Sequence, residues 1–253
     1  MLALLDVEAV DLRFGDCISG MTALDASSVD MILCDPPYEQ TARNSWDKQI
    51  DMESMFEQVA RVSKPRAAVV FFAQGMYTAQ LMMGPWQKHW RYNLIWKKNK
   101  PRGFLNAKKM PLRYHEDIVV FYRGLPVYNP QMVETGKPIN ACTRKTTGSN
   151  YRETKGGFNE RAGRTDRYPG SVLSFPVLNA EEKPVHPTQK PLSLCEFLVR
   201  SYSKPGDLIL DMCAGSGTTA VACLRSGRRF VGFENNRGYY DKAMARIDGE
   251  EKR

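Results

Sequence analysis

The sequence predicts an α/β fold built on a doubly wound, mostly parallel sheet. Stretches with helical periodicity, such as 52–62 and 191–203, lie between short apolar segments. These segments have the near-continuous hydrophobicity of parallel strands that are buried on both faces. Strand and helix in alternation are typical of doubly wound sheets. The predicted strands are 29–34, 67–72, 92–96, 117–122, 208–212 and 229–233.

The middle of the chain departs from this alternation. From Gly124 to Pro184 it is rich in Gly, Pro, Asn, Thr and Arg, and aromatic residues are interleaved with basic ones. We interpret this segment as an insertion that faces nucleic acid rather than as a passive linker. Residues 1–123 and 185–253 are then the two halves of one domain around the inserted region 124–184. The candidate DNA contacts within it are Arg144, Lys145, Arg152 and Arg164.

Composition narrows the classes of partner and compartment. The chain has 253 residues, and its 36 Lys and Arg exceed its 28 Asp and Glu to give a net charge of +8, which favours a polyanionic partner. Its six cysteines form no CxxC pair and have no histidine nearby, so neither a metal site nor a disulfide framework is expected. Asp6 and Glu8 interrupt the apolar start, and no apolar segment has the length of a membrane span. We therefore expect a cytoplasmic protein with no membrane partner.

A glycine-rich turn follows the predicted strand 208–212. The strand includes Asp211, and the turn leads into a helix predicted over 218–225. Glycines let a backbone approach a ligand closely, and a carboxylate such as Glu234, after the next strand, can accept bonds from ribose hydroxyls. The turn lacks a third glycine for a dinucleotide and a lysine for phosphates, so a nucleoside without phosphate fits better, and S-adenosylmethionine is one such ligand. The residues of this segment are Asp211, Cys213, Ala214, Gly215, Ser216, Gly217, Thr218 and Thr219, with Glu234 and Asn235 after the next strand.

The segment Asp35-Pro36-Pro37-Tyr38 follows the predicted strand 29–34. Two prolines cannot continue a central strand, so Asp35 is held at the strand's carboxyl end, where doubly wound sheets bind ligands. The Asp35 carboxylate and the Pro36 carbonyl could accept both N–H hydrogens of an aromatic amine and direct its lone pair at a methyl donor. Tyr38 could stack on a base that has left the duplex. This chemistry is transfer of a methyl group to an exocyclic amine.

These motifs together resemble the amino-methyltransferases of DNA, and in particular their permuted β class. The Asp35–Tyr38 segment comes first, His186-Pro187-Thr188-Gln189-Lys190-Pro191 follows the insertion, and the glycine turn comes last. The resemblance implies a circularly permuted, seven-stranded methyltransferase sheet that binds S-adenosylmethionine. It also makes Asp16 and Cys17 candidates near the cofactor's adenine, and Thr188 and Lys190 candidates near its methionine moiety. Family members commonly have Pro-Phe where this chain has Met212-Cys213.

A basic segment after the predicted strand 92–96 contains no acidic residue. We expect it to contact the phosphates of double-stranded DNA together with the insertion. Its candidate contacts are Lys97, Lys98, Lys100, Arg102, Lys108 and Lys109.

The resemblance leaves several alternatives open. Asp35, in place of a serine, favours adenine N6 over cytosine N4 as the methylated atom. RNA adenine and a catalytically silent DNA-binding relative remain open, and a dehydrogenase is disfavoured by the glycine turn. A homodimer and a separate restriction endonuclease are further partners that the sequence leaves open.

Overall fold

The computed structural model describes residues 9–38, 49–143, 156–177 and 189–252. Its helices are α1 Cys17–Thr22, α2 Met52–Val62, α3 Met76–Met83, α4 Leu192–Tyr202, α5 Thr218–Ser226 and α6 Arg237–Glu251. Its strands are β1 Val10–Phe14, β2 Val29–Cys34, β3 Ser63–Ala73, β4 Trp90–Arg102, β5 Arg113–Phe121, β6 Val133–Glu134, β7 Cys142–Thr143, β8 Gly157–Phe158, β9 Asp166–Arg167, β10 Val172–Ser174, β11 Leu208–Asp211 and β12 Arg229–Glu234.

Eight of the strands form one sheet in the order β1-β12-β11-β2-β3-β5-β4-β10. The predicted α/β fold with a mostly parallel sheet is confirmed. The sheet has eight strands rather than seven because the short strand β10 pairs with the outer edge of β4. The prediction that segment 117–122 is a parallel strand is wrong. It belongs to β5, which is antiparallel to both β3 and β4 because a short hairpin connection returns the chain beside β4.

Helices cover both faces of this sheet. One buried cluster joins the sheet to α4, α5 and α6, and the other joins it to α1, α2 and α3. Side chains of β2 alternate between them, with Met31 and Leu33 in the first cluster and Ile32 and Cys34 in the second. Burial on both faces explains why the central strands are almost continuously apolar in sequence. In the described part of the chain, none of the helices combines the length and apolarity that a membrane span requires.

The topological switch point of the sheet lies between β2 and β11, which are parallel direct neighbours. From β2 the chain continues to β3 on one side, and from β11 it continues to β12 on the other. A crevice forms outside the carboxyl ends of strands at such a switch point, and doubly wound proteins bind ligands there. Asp35 directly follows β2 and Asp211 ends β11, so the two predicted motifs meet at this crevice.

Residues 130–170 form a second compact unit, separate from the sheet unit of 1–129 and 171–253. Its described part contains two short antiparallel pairs, β6 with β9 and β7 with β8. The segments at either end of the predicted insertion belong to the sheet unit. Asn129 bonds to the backbone of Ser201 at α4, and residues 172–174 are strand β10.

Candidate active site

A cavity of about 730 Å³ opens at the carboxyl ends of the central strands. This size lies within the range of small-molecule sites. Most of the predicted site residues line it: Asp16, Cys17, Asp35, Pro36, Pro37, Tyr38, Lys190, Asp211, Cys213, Ala214, Gly215, Ser216, Thr218, Thr219, Glu234 and Asn235. Gly217 is not in the wall but directly precedes α5 in a left-handed conformation, and Thr188 lies outside the described residues.

Four charged side chains alternate in sign along one wall of the cavity. Lys190 pairs with Asp35 Oδ2, and its Nζ also lies 3.4 Å from Glu116 Oε2. Lys98 pairs with the other oxygen of Glu116. The side chains of Lys98 and Lys190 are only 6% and 8% exposed, so each buried ammonium is compensated by a carboxylate. The row therefore connects the end of β2 to strands β4 and β5.

The charges in this row control one another's protonation. Burial works to lower the pKa of Lys190, but the Asp35 and Glu116 carboxylates outweigh it and hold that pKa well above its ordinary value. Burial raises the pKa of Asp35, and the nearby Lys190 ammonium opposes the rise. Burial also works to raise the pKa of Glu116, yet Lys190 and Lys98 together lower it. Lys190 is therefore a fixed cation that favours the ionised form of Asp35.

Asp35 has one carboxylate oxygen engaged and one open. Oδ2 accepts from Lys190, whereas Oδ1 is buried and has no hydrogen-bond partner among the described residues. A buried acceptor without a donor is costly unless a ligand satisfies it. Tyr38 lies along the same cavity, with its ring stacked on Tyr77 at a centroid distance of 5.3 Å. An acceptor and an aromatic surface thus line one cavity.

The glycine turn is fastened to Glu234 at the end of β12. The Gly215 amide donates to Glu234 Oε2 at 2.9 Å, and the Asn236 amide donates to Oε1 at 2.7 Å. Burial raises the pKa of Glu234, and these backbone donors oppose the rise. Gly215 has a left-handed backbone with φ of 54°, which favours glycine. The carboxylate is therefore held in a fixed orientation at the edge of the cavity.

Asp211 holds the backbone at the start of this turn, and Asp16 holds the start of α1. Asp211 Oδ1 accepts from the Cys213 amide at 3.0 Å, and burial raises the pKa of Asp211 to about 6. Asp16 caps α1, because its Oδ1 accepts from the Ser19 amide at 2.9 Å. Both carboxylates line the cavity while stabilising the turns that shape it.

Three cysteines that are far apart in sequence meet at the cavity wall, and two of them, Cys17 and Cys213, line the cavity. The Cys213 thiol contacts both Cys17, at the start of α1, and Cys34, at the end of β2. Burial raises the pKa of Cys34 to about 12, so its thiol stays protonated. Cys213 therefore joins these two segments. Among the described residues no group of His, Cys, Asp or Glu is arranged to hold a metal ion.

The candidate DNA contacts separate into four groups. Lys97, Lys100, Arg102, Lys108 and Lys109 are exposed along β4 and the hairpin that follows it. The prediction for Lys98 needs correction, because its ammonium is buried against Glu116 rather than open to phosphates. In the second unit Arg164 Nε bonds Asp166 Oδ1 at 2.8 Å, and this bond lowers the pKa of Asp166 to about 2. Arg144, Lys145 and Arg152 lie outside the described residues.

Glu116 is the site residue whose role the sequence did not reveal. It stands in β5, next to an apolar segment, where a charged side chain needs a partner. A charged residue beside an apolar segment was the sequence signal for a buried ion pair. Its partner Lys98 was instead predicted to contact DNA together with the neighbouring lysines. Phe72, Gln74, Gln189 and Tyr239 also line the cavity without having been predicted.

The DNA methylase family model matches residues 29–245, which is most of the chain. The chain belongs to this DNA methylase family. Its matched part includes the Asp35–Tyr38 segment, the glycine turn and Glu234. The family membership and the geometry of the cavity therefore concern the same residues.

Individual relatives agree with the family. The chain is 28% identical to the DNA adenine methyltransferase YhdJ of Escherichia coli K12, over 95% of this chain and 83% of that protein. Among solved structures, the M1.HpyAVI–SAM complex matches with a TM-score of 0.62 and 22% identity, over 94% of this chain and 99% of the other. The cytosine-N4-specific PvuII DNA methyltransferase matches with a TM-score of 0.66 and 16% identity, over 97% and 94%. At these identities the structural matches establish the shared fold.

Proposed function

We propose that this DNA methylase transfers a methyl group from S-adenosylmethionine to N6 of an adenine in double-stranded DNA. The observation that carries the proposal is the open oxygen of Asp35. Oδ1 is a buried acceptor with no partner among the described residues, and it lies in the same cavity as the glycine turn and Glu234. An acceptor at this place is suited to an amine that must lie beside a methyl donor.

The residues at the glycine turn fit the proposed cofactor. The Glu234 carboxylate, oriented by two backbone amides, is placed to accept from ribose hydroxyls. Gly215 and Ser216 leave the backbone close to the cavity without a bulky side chain, and Asp16 also lines the cavity. When bound, S-adenosylmethionine supplies an activated methyl group on its sulfonium, so the protein needs no metal and no covalent nucleophile.

The target amine is held by two acceptors. Its nitrogen lone pair is delocalised into the base ring, so the free amine is a weak nucleophile. Asp35 Oδ1 and the Pro36 carbonyl accept its two N–H hydrogens, favour a tetrahedral nitrogen and direct the lone pair at the methyl carbon. Tyr38, stacked on Tyr77, offers a ring against the flipped base.

Charge develops on the nitrogen as the new bond forms. The ionised Asp35 offsets this positive charge, and one N–H proton is already hydrogen-bonded to Oδ1 when the nitrogen must lose it. Lys190 holds Oδ2, so the carboxylate cannot turn away from the amine. Glu116 and Lys98 fix Lys190 from behind. We assign these three residues to positioning Asp35.

Adenine is favoured over cytosine on two grounds. The chain has an aspartate at position 35, whereas a serine there would favour the cytosine N4 reaction. The relative YhdJ is named an adenine methyltransferase. We assign double-stranded DNA as the acceptor and the inserted region 124–184 as the reader of its sequence. An enzyme that modifies bacterial DNA acts in the cytoplasm.

The test is to identify the methylated nucleoside. The purified protein is incubated with methyl-labelled S-adenosylmethionine and unmethylated bacterial genomic DNA, and the DNA is digested to nucleosides. Label in N6-methyldeoxyadenosine is expected for the wild type, and none for Asp35→Ala. Label in N4-methyldeoxycytidine would overturn the assigned base. Label only with an RNA acceptor, or none despite cofactor binding, would overturn DNA methylation by this chain.

A further inference from the structure

The hairpin between β4 and β5 exposes apolar side chains at its tip. Phe104 is 76% exposed, Leu105 84% and Met110 57%, although large apolar side chains are normally removed from water. The segment 97–113 around them contains six exposed cations and no acidic residue. An exposed apolar group rimmed by polar residues marks an interaction surface. We call residues 103–110 the hairpin tip.

The hairpin tip has a defined conformation. Gly103 has a left-handed backbone with φ of 88°, and a short turn of 3₁₀ helix follows over Phe104–Asn106. The Asn106 amide bonds the Gly103 carbonyl at 2.9 Å, and the Lys109 amide bonds the Asn106 carbonyl at 2.8 Å. These bonds fix the tip's backbone, so presenting Phe104 and Leu105 to a partner costs little ordering.

The hairpin tip adjoins the candidate active site. Arg102 and Arg113 are opposite each other in the β4–β5 ladder, where the two strands meet the hairpin tip, and both line the cavity. Phe104 is two residues beyond Arg102, so its Cα lies within about 7 Å of the Arg102 Cα. A duplex that delivers a base to the cavity past Arg102 and Arg113 therefore comes close to Phe104 and Leu105.

We propose that Phe104 and Leu105 form a wedge that enters the base stack of duplex DNA beside the target base. The proposal rests on the function proposed above. A base that leaves the stack exposes the apolar faces of its neighbours, and apolar side chains inserted between base steps are stabilised by those faces. The surrounding lysines and arginines draw the phosphates toward the tip. The wedge thus offsets part of the cost of holding the target base in the cavity.

The charge around the tip distinguishes DNA from a second copy of this chain. Two copies meeting through this surface would bring two sets of six cations together without an acidic residue in either segment. A duplex supplies negative charge for the rim and apolar surface for Phe104 and Leu105. We therefore assign the surface to DNA, and self-association through it is an outcome that would contradict the assignment.

The experiment compares paired DNA with DNA that is already open. The double variant Phe104→Ser/Leu105→Ser is compared with the control Leu125→Ser. Leu125 has a similarly exposed apolar side chain, and it lies near the start of β3, at the end of that strand opposite the cavity. Methyl transfer is measured on native genomic DNA and on the same DNA after heat denaturation. Binding is measured on a paired duplex and on a duplex with a mismatched bubble. Binding of S-adenosylmethionine checks that the cavity is intact.

We expect the double variant to lose about tenfold to hundredfold in kcat/KM on native DNA and little on denatured DNA. Its binding should weaken for the paired duplex more than for the bubble, and Leu125→Ser should resemble the wild type. Equal losses on both kinds of DNA, or no loss on either, would overturn the wedge. A wild type that is a dimer and a double variant that is a monomer would also overturn it. If the wild type methylates no DNA, the proposed function fails, and the binding comparison alone decides the wedge.

Discussion

Lys190 and Asp35 are 155 positions apart in sequence, yet the Lys190 ammonium bonds one oxygen of the Asp35 carboxylate. The other oxygen of Asp35 is buried and has no partner among the described residues. The pair joins the segment before α4 to the residue that follows β2, and it leaves one oxygen of Asp35 for a ligand. This asymmetry gives the cavity an oriented acceptor before any substrate enters it.

Replacing Lys190 with methionine should shift the pH dependence of methyl transfer. Burial raises the pKa of Asp35, and Lys190 opposes that rise. Removing the ammonium lets the pKa rise further, so Asp35 becomes protonated at a higher pH than in the wild type. The acidic limb of the kcat/KM profile should therefore lie at higher pH in Lys190→Met.

Lys204→Met is the matched control, because this lysine is exposed and lies beyond the end of α4. Its profile should coincide with that of the wild type. A uniform loss of activity at all pH values in Lys190→Met would assign Lys190 to another role, such as contact with the cofactor. Measuring at saturating S-adenosylmethionine separates the two.

Glu234→Gln should weaken the binding of S-adenosylmethionine. The glutamine is neutral and has one acceptor oxygen where the carboxylate has two, so the charged hydrogen bond proposed from the ribose hydroxyls is lost, along with one of the Gly215 and Asn236 bonds that orient the side chain. A hydrogen bond to a charged group is worth about 1.5–3 kcal/mol, so the Kd should rise roughly tenfold to hundredfold. Calorimetry measures this directly. Glu53→Gln, at an exposed position in α2, is the control. An unchanged Kd would remove Glu234 from the cofactor site.

Asp211→Asn should change how stability depends on pH. Burial raises the pKa of Asp211 from 3.8 to about 6, so the folded protein holds this proton more tightly than the unfolded chain. The wild type therefore loses stability as pH rises from about 4 through about 6, by up to ~3 kcal/mol. The asparagine does not titrate. Urea unfolding at about pH 5 and about pH 7.5 should show that the free energy of unfolding of the variant, relative to that of the wild type, is greater at the higher pH. A constant difference would contradict the raised pKa.

Replacing each of two helical glycines with alanine should change the free energy of unfolding in opposite directions. A Cβ added at Gly20 would lie 2.2 Å from the Phe233 ring, whereas one added at Gly249 meets nothing within 4 Å. Gly20→Ala should lower the free energy of unfolding by ~1–3 kcal/mol through overpacking. Gly249→Ala should raise it by up to ~1 kcal/mol through helix propensity. Urea unfolding compares the two. A harmless Gly20→Ala would mean that α1 does not pack on β12 as described.

Local signals in the sequence predicted much of the sheet. The helix over 52–62 was predicted with its observed bounds from its helical periodicity. Strands β2 and β12 were predicted because they are short and apolar, and a carboxylate stands at the carboxyl end of each, Asp35 after β2 and Glu234 in β12. Helix α6 was missed, since it buries only Ala243 and Ile247 and its apolar pattern is weak.

Other features depend on contacts between distant segments. The antiparallel direction of β5 follows from its pairing with β3 and β4, and a buried apolar segment reads the same in either direction. The partners of Lys98 and Lys190 are likewise set by strand order rather than by neighbours in sequence. Lys98 resembled the other lysines of its segment, because sequence alone gives charge but not burial.

The central claim is that Asp35 orients the target amine, and single-turnover methyl transfer by Asp35→Asn tests it most directly. With enzyme and S-adenosylmethionine saturating over DNA, the rate constant should fall about 10²- to 10³-fold, because the neutral amide cannot offset the charge on nitrogen. The Kd for S-adenosylmethionine should stay within about threefold of the wild type. A rate constant equal to that of the wild type, or a loss explained entirely by weaker cofactor binding, would contradict the claim.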